Sequence, residues 1–166
     1  MDKQKICRAA AELVKDCRSV ILGVGISAGV LNYLDDGVTV ICENGLIGMV
    51  PGVGCVDAGR GEVGISPGGA IIDSCAMFGL IRSGRLDAAV ISALQVDRAG
   101  NIAAHSTGKR LFGYGGAIDI YFGAHQVIAA IQHWKFVDKL TLPITTERAV
   151  NIVVTEKGVF YVDPMV

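Results

Sequence analysis

Short runs of consecutive apolar, β-branched residues, separated by glycine-rich turns, constrain this chain more than any other feature. Ser19–Gly23, Val38–Cys42, Leu86–Ser92 and Val127–Ile131 are such runs, and Glu62–Ser66 and Leu140–Pro143 are weaker ones. Apolar runs this short that do not alternate read as strands covered on both faces. Between them lie stretches of helical period. Residues 4–15 put Ile6, Ala9, Ala10, Leu13 and Val14 on one face, Ser27 is placed to cap a helix over 28–34, and Ala70–Ser83 reads as a helix stopped by Gly84. Strands alternating with helices predict an α/β fold with a mostly parallel central sheet and helices on both faces. At the C-terminal end, Asn151–Thr155 and Val159–Val162, joined across Glu156-Lys157-Gly158, predict an antiparallel hairpin. The length, 166 residues, predicts a single domain spanning 1–166.

Composition excludes several classes of function. Lys+Arg is 15 against Asp+Glu 16, so no net field favours nucleic acid or an anionic membrane, and an aromatic fraction of 6% offers little base stacking. No apolar run reaches the ~20 residues of a membrane span. The start, Met1-Asp2-Lys3-Gln4-Lys5, runs into a mixed polar pattern and not a signal-peptide core, which predicts a cytoplasmic protein. The five cysteines include no C-x-x-C pair and read as buried free thiols. Glycine is the outlier, with 22 residues, well above an ordinary share of about 7%. Two glycine-rich loops are expected, over 44–61 and 106–117.

In parallel sheets ligands bind beyond the carboxyl ends of the strands, so the residues that follow each strand matter most. The second strand ends in Ile41-Cys42-Glu43-Asn44-Gly45. A carboxylate there is held at the rim of a buried strand, and a sharp turn follows because Asn44 and Gly45 both tolerate positive φ. Partial removal from water would make such a carboxylate a usable nucleophile. A solvated glutamate before an ordinary Asn-Gly hairpin is the plain alternative, although Leu46-Ile47-Gly48-Met49-Val50-Pro51-Gly52 does not alternate as a hairpin strand should. A dinucleotide-binding reading also competes. Gly23-Val24-Gly25-Ile26-Ser27-Ala28 fits G-x-G-x-x-A, and Glu43 lies where such folds keep a ribose-binding acid.

In the second loop, Gly113-Tyr114-Gly115-Gly116-Ala117 lets backbone N–H groups approach a reacting carbonyl, as in an oxyanion hole. Lys109 and Arg110, just upstream, suit ligand phosphates. His105, His125 and His133 read as structural histidines.

Taken together, these stretches resemble the B subunits of family I coenzyme A transferases, of the succinyl-CoA:3-oxoacid and acetate/acetoacetate type. Glu43-Asn44-Gly45-Leu46-Ile47-Gly48-Met49 resembles the family's S-E-N-G signature, with Cys42 in place of serine. Gly23–Ile26, Asn32–Leu34, Ala58–Arg60, Met77–Gly84, Leu94–Asp97, Gly115–Asp119, Leu142–Thr145 and Val153–Val162 agree in the same order. The chain departs from the family in a shorter loop between Met49 and Ala58, and in Ala104–Lys109 where the family has a Trp-containing segment.

The resemblance implies a Rossmann-like CoA-transferase fold and a partner A subunit in a hetero-oligomer. It implies acyl-CoA and carboxylic acid substrates, with coenzyme A a substrate and not a tightly bound cofactor, and no metal. It puts the nucleophile on Glu43 and the backbone oxyanion donor on Gly116, with a second donor from the A subunit. Asn44, Gly45, Gly113, Gly115 and Lys109 are the expected contacts to CoA. Acyl-CoA hydrolysis and a non-catalytic CoA-binding role remain open at this point, as does the dinucleotide reading.

Overall fold

The structure is a computed structural model and describes residues 2–162. Its centre is an eight-stranded sheet in the order β11-β10-β8-β5-β1-β2-β3-β4. The strands are β1 (Ser19–Leu22), β2 (Thr39–Cys42), β3 (Leu46–Val56), β4 (Glu62–Ile71), β5 (Leu86–Ile91), β8 (Ala124–Ala130), β10 (Ile152–Thr155) and β11 (Gly158–Tyr161). The five inner strands, β10, β8, β5, β1 and β2, run parallel. The expected C-terminal hairpin is present, with β10 antiparallel to β11. A second antiparallel margin, β2 to β3 to β4, closes the other side, so the Rossmann-like description fits the inner strands only.

Strand parity builds the core. Val20, Leu22, Val40, Cys42, Ala88, Val90, Ile128, Ala130, Ile152 and Val154 face α1 (Asp2–Val14), whose buried stripe is Ile6, Cys7, Ala10, Ala11 and Val14. Ile21, Ile41, Ala89, Ile91, Val127, Ala129 and Val153 face the opposite layer, made of α2 (Ser74–Arg82) and α3 (Ala117–Gly123). Alternate residues therefore supply two cores, one on each side of the sheet, and the strand centres are apolar on both sides because neither face meets water, with polar residues such as Thr39, His125 and Gln126 toward the strand starts. In the second layer Met77 and Ile81 of α2 are fully buried, each stabilising by about 1.5–3 kcal/mol.

Several sequence expectations are corrected. Residues 44–61 are not a loop: most of them form β3, and Ile41↔Ile47 and Cys42↔Leu46 pair across a tight hairpin. The alternation that would have shown this is broken by register shifts between Ile47 and Met49 and between Val50 and Cys55, because an irregular residue resets the two-residue period. The helix expected over 70–83 begins only at Ser74. Ala70 and Ile71 belong to β4, and Asp73 caps the helix by accepting the Ala76 N–H at 3.0 Å. Ser27 caps nothing. It opens a 3₁₀ turn over Ser27–Tyr33, and its hydroxyl faces Val24 O and Ser92 Oγ.

Leu140–Pro143 is not a strand; Gln95 holds it as a loop by accepting the Thr141 and Leu142 N–H groups. A small sheet of β6 (Gln95–Asp97), β7 (Ile102–Ala103) and β9 (Phe136–Val137) was not foreseen. The five thiols are free, but only Cys7 and Cys42 are buried, and Cys75 is exposed. Among the described residues no helix is long and apolar enough to cross a membrane.

Candidate active site

Counted along the chain, the five parallel strands lie in the order 2-1-3-4-5. Chain direction across the sheet therefore reverses between β1 and β5, and the crevice at their carboxyl ends is where such sheets bind ligands. A cavity of about 380 Å³ opens there. Gly23 and Val24 follow β1, Ile91 ends β5 and Ser92 follows it, Glu43 follows β2, and Phe112 to Ala117 are among the other lining residues. A larger groove, about 860 Å³, runs along β2, β3 and β4, lined by residues such as Leu34, Val38, Met49 and Ile65. It contains neither Glu43 nor the glycine loop, so size alone does not mark the reactive site.

Glu43 is half-buried and lines the switch-point cavity. Parity explains its direction: Cys42 points to the α1 side, so the next residue turns toward α2 and α3. Burial pushes the carboxyl above its ordinary range, and the N–H of Gly116, donating to the carboxylate, partly offsets this. Among the described residues Glu43 has no ion-pair partner. The carboxylate is thus partly stripped of water, held by one backbone donor and not neutralised by a cation.

Gly116 is the N-cap of α3. A Cβ there would lie 2.9 Å from the Phe78 ring and 3.1 Å from Glu43 Oε2, so only glycine lets this N–H reach the carboxylate. Phe78 comes from α2. The Arg82 guanidinium stands 5.5 Å from its ring centroid and pairs with Asp119 of α3 at 2.7 Å. The two helices therefore fix Gly116 from behind.

The rest of the glycine loop is anchored by aromatic stacking. Tyr114 stacks on His105 with ring centroids 4.4 Å apart, and His105 Nδ1 lies 2.7 Å from Thr145 Oγ1. His133 is similarly placed, with Nδ1 3.2 Å from Thr155 Oγ1.

The predicted site residues divide into two groups. Glu43, Gly113, Gly115 and Gly116 line one cavity. Asn44, Gly45 and Lys109 do not line it. The Asn44 amide donates to Val56 O at 2.8 Å, tying the hairpin loop to the far end of β3. Gly45 has φ +108, and a Cβ on it would meet Ile72 O at 2.1 Å. Lys109 is exposed upstream of the loop. The dinucleotide reading loses its geometry. No α-helix follows Gly23–Gly25, only the 3₁₀ turn, and the Glu43 carboxylate is engaged by Gly116.

The sequence reading missed Tyr121, Ser92, Ala58 and Phe78, of which the first three line the cavity. Recognising 117–123 as a helix would have exposed Tyr121. Ala117, Ile120 and Tyr121, at helical spacings of three and four, share the face that lines the cavity.

Among solved structures, glutaconate coenzyme A-transferase from Acidaminococcus fermentans has a TM-score of 0.74 at 22% identity, over 98% of this chain and 75% of that one. The decarboxylase AibA/AibB has a TM-score of 0.71 at 17% identity, over 96% and 73%. These likenesses show the fold alone, and a fold shared with a decarboxylase does not name a reaction. Sequence similarity is more specific. The chain is 39% identical over 171 residues to acetate CoA-transferase subunit beta of Escherichia coli K12, covering 95% of this chain and 79% of the relative. It is 32% identical over 178 residues to a mitochondrial succinyl-CoA:3-ketoacid coenzyme A transferase of Rattus norvegicus, covering 97% of this chain and 34% of that protein. The coenzyme A transferase family model matches residues 3–165, and the chain belongs to that family.

Proposed function

We propose that this chain is the B subunit of a cytoplasmic, two-subunit coenzyme A transferase, and that Glu43 carries CoA between two carboxylic acids. The observation that supports this most strongly is the Glu43 carboxylate itself: half-buried at the switch point, unpaired with any described cation, and held by the Gly116 N–H. A carboxylate prepared in this way is a nucleophile matched to a thioester.

The reaction runs in two symmetrical halves. A Glu43 oxygen attacks the thioester carbonyl, the new C–O bond forms, and the C–S bond breaks to release CoA thiolate and leave a mixed anhydride. The thiolate then attacks the Glu43 carbonyl carbon, expelling the first acid as its carboxylate and leaving a glutamyl-CoA thioester. The acceptor acid reverses these steps. As a Glu43 oxygen leaves it to attack, the Gly116 N–H is freed to donate to the charge that builds on the acyl oxygen, with Gly113 and Gly115 shaping the passage and Lys109 available to the CoA phosphates. Asn44 and Gly45 act through the turn that aims Glu43. The relatives' names point to an acetyl or succinyl thioester and to acetate or a 3-oxoacid as acceptor.

A glutamyl-CoA carrier makes a kinetic prediction. The complex reconstituted with its A subunit should exchange labelled carboxylate into acyl-CoA in the absence of a second acid. Glu43→Ala should lose transfer by on the order of 10⁴-fold. Steady release of free CoA without any acceptor would instead identify a hydrolase, and unchanged transfer in Glu43→Ala would exclude the glutamyl carrier.

A further inference from the structure

Tyr121 lies on α3, on the face that lines the Glu43 cavity, and only 6% of its surface is exposed. Its hydroxyl has no hydrogen-bond partner among the described residues. It is not sealed away either: the sealed side-chain polar atom without a partner among the described residues is Thr146 Oγ1. The hydroxyl therefore keeps some exposed surface, on a residue that lines the cavity. Buried tyrosine hydroxyls ordinarily find a partner, and a phenylalanine would fill the same space without an unmade hydrogen bond. A lone phenol in a reactive cavity points to a partner that arrives with the ligand.

From this geometry we infer that Tyr121 is a catalytic residue, donating a hydrogen bond from Oη to the acyl oxygen of the substrate as Glu43 attacks it. The inference rests on the Glu43 reading above. The step needs no proton to move. A Glu43 oxygen forms the C–O bond, the carbonyl π pair moves onto oxygen, and Tyr121 O–H stabilises that charge until it collapses and the C–S bond breaks. Burial and the nearby Glu43 charge push the phenol up to about 12, so it stays protonated at working pH. A neutral donor already in place contributes as the Gly116 N–H does: it favours the charge of the transition state over the neutral ground-state carbonyl.

The test is Tyr121→Phe in the complex with the A subunit, a change that keeps the ring and its packing. The expected result is a fall in kcat of about 100-fold with KM changed less than about 2-fold. The denaturation midpoint should be equal or higher, and Glu43 should still be labelled by acyl-CoA plus hydroxylamine, but more slowly. An unchanged kcat overturns the inference, as does a raised KM with kcat preserved, which would make the hydroxyl a ground-state contact. The two failures are separable. If Glu43→Ala is inactive while Tyr121→Phe is unaffected, only the role of Tyr121 falls. If Glu43→Ala transfers normally, the Glu43 reading falls and takes this inference with it.

Discussion

A carboxylate is useful as a nucleophile only if it is both ionised and poorly solvated, and Glu43 sits where those demands conflict. Burial pushes its carboxyl up, so the folded protein binds that proton more tightly than the unfolded chain does. The stability this contributes is present below the ordinary carboxylate pKa and is lost as pH rises through Glu43's raised value. Two results follow at the residue scale. Glu43→Gln, which removes the charge but keeps an acceptor for Gly116, should melt at a higher temperature than the parent protein at pH 7. That gap should close as pH falls through the carboxylate range. Activity should run the opposite way: the acid limb of kcat/KM should lie above the ordinary carboxylate range, and Glu43→Gln should have no transfer to titrate. Parallel melting curves at pH 4 and pH 7 against a pH–rate profile check both. Glu43 was legible in the sequence because a strand end and an Asn-Gly turn are local features. Tyr121 was not, because its role depends on the cavity that α3 lines, and that is a tertiary fact.

The elements show the same division. The apolar runs and the C-terminal hairpin were readable, since full burial on two faces leaves its mark residue by residue. The β2–β3 hairpin was hidden by the irregularities at 48 and 51–54, although it is the element that aims Glu43. Its loop is only Glu43-Asn44-Gly45, and its geometry depends on Gly45. The Gly45 N–H donates to Cys42 O at 3.0 Å, and its carbonyl accepts from the Ile72 N–H at 2.9 Å. With φ +108 and Ile72 O 2.1 Å from where a Cβ would stand, alanine brings both backbone strain and a collision with a main-chain atom that cannot swing aside. Each effect is of order 1–3 kcal/mol. Gly45→Ala should therefore lower unfolding free energy by about 3 kcal/mol or more and remove activity with it. Equilibrium urea unfolding checks this, and a loss below about 1 kcal/mol would mean that the turn relaxes easily.

Across the whole molecule, the site is assembled from segments far apart in sequence: Gly23-Val24, Glu43, Ala58, Ile91-Ser92 and the 112–117 loop. Each lies in a stretch the sequence marks out, but Ser92 and Ala58 were not read there as site residues. What could not be read without the fold was strand order, which places β5 beside β1 and so brings Ser92 opposite Val24. Strand order is set by non-local pairing, and local propensity does not encode it. Family membership names the reaction class, and the geometry gives the proposed nucleophile a partly dry setting, unpaired with any described cation. The most direct measurement is chemical trapping. The complex with its A subunit is incubated with acyl-CoA, quenched with hydroxylamine or borohydride, and digested for mass spectrometry. A glutamyl-CoA intermediate predicts a hydroxamate or an alcohol on Glu43 and on no other residue, with no modification in Glu43→Ala. An unmodified Glu43 in an actively transferring complex, with transfer intact in Glu43→Ala, would contradict it.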